Sequence, residues 1–336
     1  MTDFISKNKA KSLQQPNRSN RQLRHPMCAS PKRPLYRSST LASVLAATIG
    51  LGGCAGTGTG TGSNTKTSEQ PAYKEVIEAV TASNQLIRFN AAQPDGILSA
   101  KPITGLQAGE TLVGIDYRIA KGMLYGVGST SRLYLIDPTT AVATQVGSGP
   151  FSVALSGTEI GVDFNPTVDR IRIVSNQGLN MRLHPDTAAV VDSDPAREGV
   201  QTDGPLAYVA GDPNYGKVPA LAAAAYTYNR TNEKLTTNFA IDAKYGVLVA
   251  QGSREGVMPA VSPNTGQLTT VGSLGIGSFE RVSFDIADVS GMAFTVVTKA
   301  GESRSEFYKI NLATGKAELI GRIGVDSTIV GMAVQP

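Results

Sequence analysis

From Tyr73 onward, short apolar runs alternate with polar residues and are cut by Gly, Asn, Asp or Pro every eight to twelve residues. Successive side chains of a strand point to opposite faces, so this period-two pattern predicts strands, and the chain reads as all-β. One pattern recurs along it. Val113-Gly114-Ile115-Asp116-Tyr117 is echoed by Ile160-Gly161-Val162-Asp163-Phe164, by Val282-Ser283-Phe284-Asp285-Ile286 and by Val330-Gly331-Met332-Ala333-Val334, with a degenerate copy at Ala223-Ala224-Ala225-Tyr226-Thr227. The copies are 47, 63, 59 and 48 residues apart. Four short strands with their loops need about 40–50 residues, the size of a propeller blade.

A second motif follows each copy. Leu133–Thr140 and Phe307–Gly315 each end in a turn built on Asp137 or Asn311, with weaker versions at Leu86–Asn90, Met181–Thr187 and Phe239–Asp242. Asp and Asn bond their own backbone two residues on and so reverse the chain between strands. The sequence therefore predicts a β-propeller of five four-stranded antiparallel blades. An extra turn motif at Met258–Gly266 leaves a sixth blade open, and a β-sandwich with accidental similarity is the competing arrangement. Gly114, Gly161, Ser283 and Gly331 are small, as expected of innermost strands crowded around an axis. The copy at 330–334 is followed by no further strands. It is expected to be completed by strands near 75–80, 86–90 and 97–103, closing the ring and removing free sheet edges.

Upstream, the pattern changes. Leu41–Gly53 is an apolar run too short to span a bilayer, preceded by basic residues and followed directly by Cys54. This order matches a bacterial lipoprotein signal, in which the Cys54 thiol takes the lipid. The alternative is a free Cys after a chance apolar stretch. Residues 1–53 are thus read as a basic region and signal peptide, 54–72 as a flexible Gly/Thr/Ser tether and 73–336 as the propeller. Met27 would give a signal of more ordinary length. Neither Ala55 nor Gly56 is the Asp that retains lipoproteins at the inner membrane. The expected location is therefore the cell envelope, anchored by lipid to the outer membrane and facing the periplasm or surface. Cys28 and Cys54 are the only cysteines, so a processed chain has no disulfide.

The net charge of +4 is unevenly distributed: residues 1–53 carry +8 and residues 54–336 carry −4. The basic excess sits in the segment expected to be removed, which argues against a nucleic-acid partner.

The run Gly161-Val162-Asp163-Phe164-Asn165-Pro166, followed by Asp169-Arg170-Ile171-Arg172, resembles the signature of a bacterial family known only as a domain of unknown function. Gly105-Leu106, Gly114–Arg118 and Leu124-Tyr125-Gly126 are similar to its earlier segment. Asn180, Arg182, Leu183 and Pro185-Asp186, then Ala225-Tyr226-Thr227 and Val271–Gly275, are similar to later ones. The resemblance runs from about Leu86 to Val334 and departs near 251–262, where this chain has extra residues. It implies a secreted or surface-anchored β-propeller-like protein and no particular activity.

Candidate chemistry is sparse. Beyond residue 54 there is one histidine, His184, so a multi-His metal site is excluded and a Ser-His-Asp triad would have to use it. No phosphate-binding loop is present. Asp116, Asp163 and Asp285 hold one position in three repeats, so a closed ring brings them to similar height in the channel. Crowded carboxyls either rise in pKa or recruit a cation, and oxygen ligands suit Ca²⁺, with Asn165 a further candidate ligand. The structural alternative is that each Asp accepts backbone N–H groups of the next blade. Arg170 and Arg172 alternate with Ile171 and Ile173 and face one side of a strand. With Arg118 they are candidates for binding an anion, or for holding a blade by pairing with Asp169 or another acid. The absence of Trp weakens a sugar-binding reading, although eleven Tyr could stack instead. The sequence favours a non-enzymatic propeller that binds a small ligand or a protein. A calcium-assisted lactonase-type hydrolase using the channel carboxylates is the alternative.

Overall fold

The structure, a computed structural model, describes residues Tyr73–Pro336; the expectations for 1–72, including Cys54 and the tether, fall outside the described residues. Five small sheets form a five-bladed β-propeller. Blade 1 contains β1 (Val76–Thr81), β2 (Gln85–Asn90) and β3 (Gln93–Pro102), and blade 2 contains β4 (Leu112–Arg118), β5 (Met123–Gly128), β6 (Arg132–Ile136) and β7 (Ala143–Val146). Blade 3 has β8 (Ile160–Asn165), β9 (Arg170–Ser175) and β10 (Asn180–Leu183). Blade 4 follows, with β11 (Ala207–Tyr208), β12 (Leu221–Tyr226), β13 (Asn238–Asp242), β14 (Val247–Gln251) and β15 (Gln267–Ser273). Blade 5 has β16 (Arg281–Ile286), β17 (Ala293–Thr298), β18 (Ser305–Ile310) and β19 (Ala317–Arg322). Strand β20 (Ile329–Val334) then returns to blade 1 and pairs antiparallel with β1, Ile77 opposite Val334 and Ala79 opposite Met332. The ring is closed as the repeat predicted. No helix among the described residues is long and apolar enough to cross a membrane.

Two blades depart from four strands. Blade 3 has three: after Leu183 the chain meets Pro185 and the turns at Asp192 and Asp194, and only a single bridge, Leu183 to Val190, continues the sheet. Blade 4 has five, because β11 crosses from blade 3 and runs parallel along β15. The turn motif at Met258–Gly266 is not a sixth blade. It is the connection between β14 and β15, with one short 3₁₀ turn at Pro263–Thr265.

The inner strands β4, β8, β12, β16 and β20 pack side by side around the axis. Their small residues are required by close approach. A Cβ on Gly161 would lie 2.7 Å from the backbone of Ala223, and one on Gly331 would lie 3.0 Å from Gly114 Cα. Blade 5 has Ser283 at the same place, and its Oγ accepts the N–H of Met332 at 2.8 Å. The degenerate copy in blade 4 is shifted by one residue from the repeat expected at Ala223–Thr227. Tyr226 occupies the place of Phe164, so the true repeat is Ala222–Tyr226 and the position of Asp163 is filled by Ala225. Apolar side chains fill the five seams between blades. The seam that closes the ring holds Phe294 stacked on Phe307 at 5.3 Å, with Phe89 edge-on to Phe307 at 5.3 Å. Such aromatic pairs add about 0.5–1.5 kcal/mol each beyond area burial.

Candidate functional site

Alternation along an inner strand puts residues two apart on one face. The small residue and the following Asp therefore both face the next blade, where the carboxylate meets a strand edge. Asp116 Oδ2 accepts the N–H of Phe164 at 2.6 Å, Asp163 Oδ2 that of Tyr226 at 2.7 Å, and Asp285 Oδ2 that of Val334 at 2.6 Å. Each acceptor thus takes the N–H just after the equivalent position of the following blade. In blades 4 and 1 that position is Ala225 and Ala333, which offer no acceptor. Asp285, which follows the Ala225 gap, instead uses Oδ1 to accept its own neighbour's N–H, Ile286, at 2.6 Å.

The three carboxyls are buried, and one oxygen from each lies within 4.8 Å of the others. Burial is the main force on their protonation. Asp116 is pushed up to about 7 by burial, partly offset by the Phe164 N–H. Asp163 and Asp285 rise well above the ordinary carboxylate range, through burial and then repulsion from neighbouring acids. Asp288, in the turn after β16, is raised to about 6 by burial and adds repulsion at Asp116 and Asp285. Without a cation, burial and mutual repulsion both favour the protonated form of these carboxyls. Its carboxylate oxygens are chemically suited to Ca²⁺, which takes six to eight oxygen ligands, so waters or a ligand carbonyl would complete the shell.

Asn165 does not extend this set. Its Oδ1 accepts the N–H of Thr167 at 2.9 Å in the β8–β9 turn, because Asn at this place caps the reversal. The basic candidates are not brought together as an anion grip either. Arg118 is buried and bonded to both Asp169 oxygens, at 2.8 and 2.5 Å, and to Asp186 at 2.5 Å. It raises no free charge at the channel and ties blade 2 to two turns of blade 3. Asp169 is therefore taken by Arg118 and not by its sequence neighbours. Arg170 donates to the carbonyls of Val168 and Asp169. Arg172 enters the seam between blades 3 and 4, bonding Asp203 and Asn264 at 2.5 Å, Asn180 at 2.8 Å and the Tyr226 hydroxyl at 3.2 Å. His184 accepts the N–H of Asp186 at 3.3 Å and serves its turn.

Sequence reasoning missed Asp186, Asp203 and Asp288. Asp203 lies 31 residues from Arg172 in an irregular segment with no repeat equivalent, so no spacing marks it. At the starts of four inner strands, a cavity of about 200 Å³ is lined by Leu112, Ile160, Val282 and Val330, with Glu159 and Arg281 on its rim. These two form an ion pair at 3.3 Å, and burial raises the Glu159 carboxyl. The Asp cluster lies farther along the same strands, toward the other mouth.

The architecture defines a five-bladed β-propeller with acidic residues on its axis. The chain belongs to the DUF4394 family, a domain of unknown function, with residues 85–333 matched. Among curated proteins, none matches it. Among solved structures it is similar to a protein of unknown function from Bacteroides thetaiotaomicron, at 15% identity and TM-score 0.40, covering 76% of this chain and 60% of that one. It is also similar to a putative 6-phosphogluconolactonase from Bacteroides uniformis, at 13% identity and TM-score 0.34, covering 75% and 68% of the two chains. Hydrazine synthase of Kuenenia stuttgartiensis aligns at 9% identity and TM-score 0.34, over 65% of this chain and 53% of that one.

Proposed function

We propose that this DUF4394 protein is a lipid-anchored cell-envelope protein whose propeller is a recognition scaffold for a small ligand or a protein partner, without catalysis. One observation carries the reading. The repeated carboxylates each lodge an oxygen on the next blade's backbone, which is a role in holding the ring. A rigid ring leaves its loops free to present a binding surface. Membrane attachment through Cys54 is part of the same proposal. It rests on the order of basic segment, apolar run and Cys in the sequence.

The convergence of three carboxyls favours a second reading, in which they hold Ca²⁺ and the ion polarises a lactone carbonyl for hydrolysis. A lactone-hydrolysis panel run with and without calcium separates the two. The binding reading expects no turnover above that of an Asp163→Asn variant. Calcium-dependent turnover that Asp163→Asn abolishes would overturn it.

A further inference from the structure

The seam between blades 3 and 4 differs from the others in carrying a buried polar layer. Cross-strand pairing fixes its rows. Asp163, Arg172 and Arg182 are neighbours across β8, β9 and β10, and Tyr226, Asn238 and Gln251 are neighbours across β12, β13 and β14. Most of this layer is satisfied. Arg172 has four polar partners, and Asp203 takes Arg182 as well, at 2.8 Å. Gln251 Nε2 donates to Asn180 at 3.0 Å and to the Pro263 carbonyl at 2.8 Å.

The exception is specific. Asn238 is 2% exposed, and both Nδ2 and Oδ1 lack a protein partner; Gln251 is 0% exposed, and its Oε1 lacks one too. An unmade bond at such depth costs about 1–3 kcal/mol per group, so three orphan atoms on adjacent residues are not a stable arrangement by themselves.

The chemistry of the missing partner follows. It must donate, to reach Asn238 Oδ1 and Gln251 Oε1, and accept, to receive Asn238 Nδ2. The carboxylates of the layer are already engaged, Asp203 by Arg172 and Arg182 and Asp163 by the Tyr226 N–H, which disfavours a cation. The Arg172 guanidinium is already engaged, which removes the pull on an anion. We propose that blades 3 and 4 enclose an ordered-water site formed by Asn238 and Gln251.

A crystal structure of the chain at 2 Å or better tests this. Electron density is expected within hydrogen-bond distance of the Asn238 amide and Gln251 Oε1, at water occupancy; density that refines as an ion, or none at all, overturns the proposal. An Asn238→Leu variant gives an independent reading in solution. If water completes the amides, Leu displaces it and strands Gln251, and the melting temperature falls by about 2–4 °C or more. If Asn238 is an unsolvated orphan, Leu removes a penalty and the melting temperature rises, which also overturns the proposal. Should the variant fail to fold, the wild-type density still decides.

Discussion

The carboxylate of Asp285 accepts the N–H of Val334 at 2.6 Å, across the seam where the closing strand meets blade 5. The same strand is paired along its other edge with β1, so β20 is held by neighbours far away in sequence. Removing Gly331–Pro336 is expected to lower the melting temperature far more than loss of six surface residues would, because it exposes the edge of β1 and unseals the Phe89–Phe294–Phe307 stack. A thermal melt of the truncated chain checks this; an unchanged melting temperature would contradict closure.

Protonation of the axial acids ties stability to pH in a stated direction. Asp116 rises from 3.8 to about 7 on folding, so the native state binds more protons than the unfolded chain. Its contribution is complete below about pH 4 and fades as pH climbs through about 7. Carboxyls held low, such as Glu110 and Glu306, act oppositely and lose their contribution as pH falls through the acid range. Asp116→Asn keeps an acceptor for Phe164 and removes the charge. Its melting temperature relative to wild type should therefore increase from pH 5 to pH 8 in chelator. A difference flat with pH would show that Asp116 does not titrate there.

Arg170 and Arg172 are two residues apart and should respond very differently. Arg172→Met leaves Asp203 buried with only the partly exposed Arg182, and a broken buried pair costs about 3–5 kcal/mol. Arg170→Ala removes bonds only to nearby carbonyls and should cost within about 0.5 kcal/mol. Urea unfolding of both variants makes the comparison.

Gly161→Ala places a methyl 2.7 Å from the Ala223 backbone, which cannot yield without moving β12. Overpacking of this kind costs about 1–3 kcal/mol. Gly149→Ala meets nothing within 4 Å and serves as the control.

Cys54→Ser removes the thiol proposed to carry the lipid. Expressed in a bacterial host that processes lipoproteins, the wild-type chain should sediment with membranes and label with a fatty-acid probe, and the variant should do neither. Membrane fractionation of the variant would contradict the anchor.

The ring was legible because an inner strand repeats a small residue and an Asp two places apart, and that pair has one physical use. Legibility failed where side chains carry no mark. In Leu221–Tyr226 four consecutive alanines give no register, so the copy was placed one residue late. It failed again for pairs set by tertiary approach. Arg118 and Asp169 lie 51 positions apart, and the Asp169 carboxylate pairs with neither of the two arginines nearer to it in sequence. Asn165 resembled a ligand because the same oxygen that could bind a cation also caps a turn. The three-stranded blade could not be foreseen, since the segment after Leu183 keeps enough apolar residues to suggest another strand.

The alternation of Asp116, Asp163, Ala225, Asp285 and Ala333 around the axis has a consequence for how such a ring can diversify. Five acids at this height would crowd two more carboxyls into the space that three already share, so two methyl groups act as spacers. The ring is thereby lopsided, acidic at blades 2, 3 and 5 and apolar at blades 4 and 1. Substitution can vary these five positions only within the narrow margin that mutual repulsion allows.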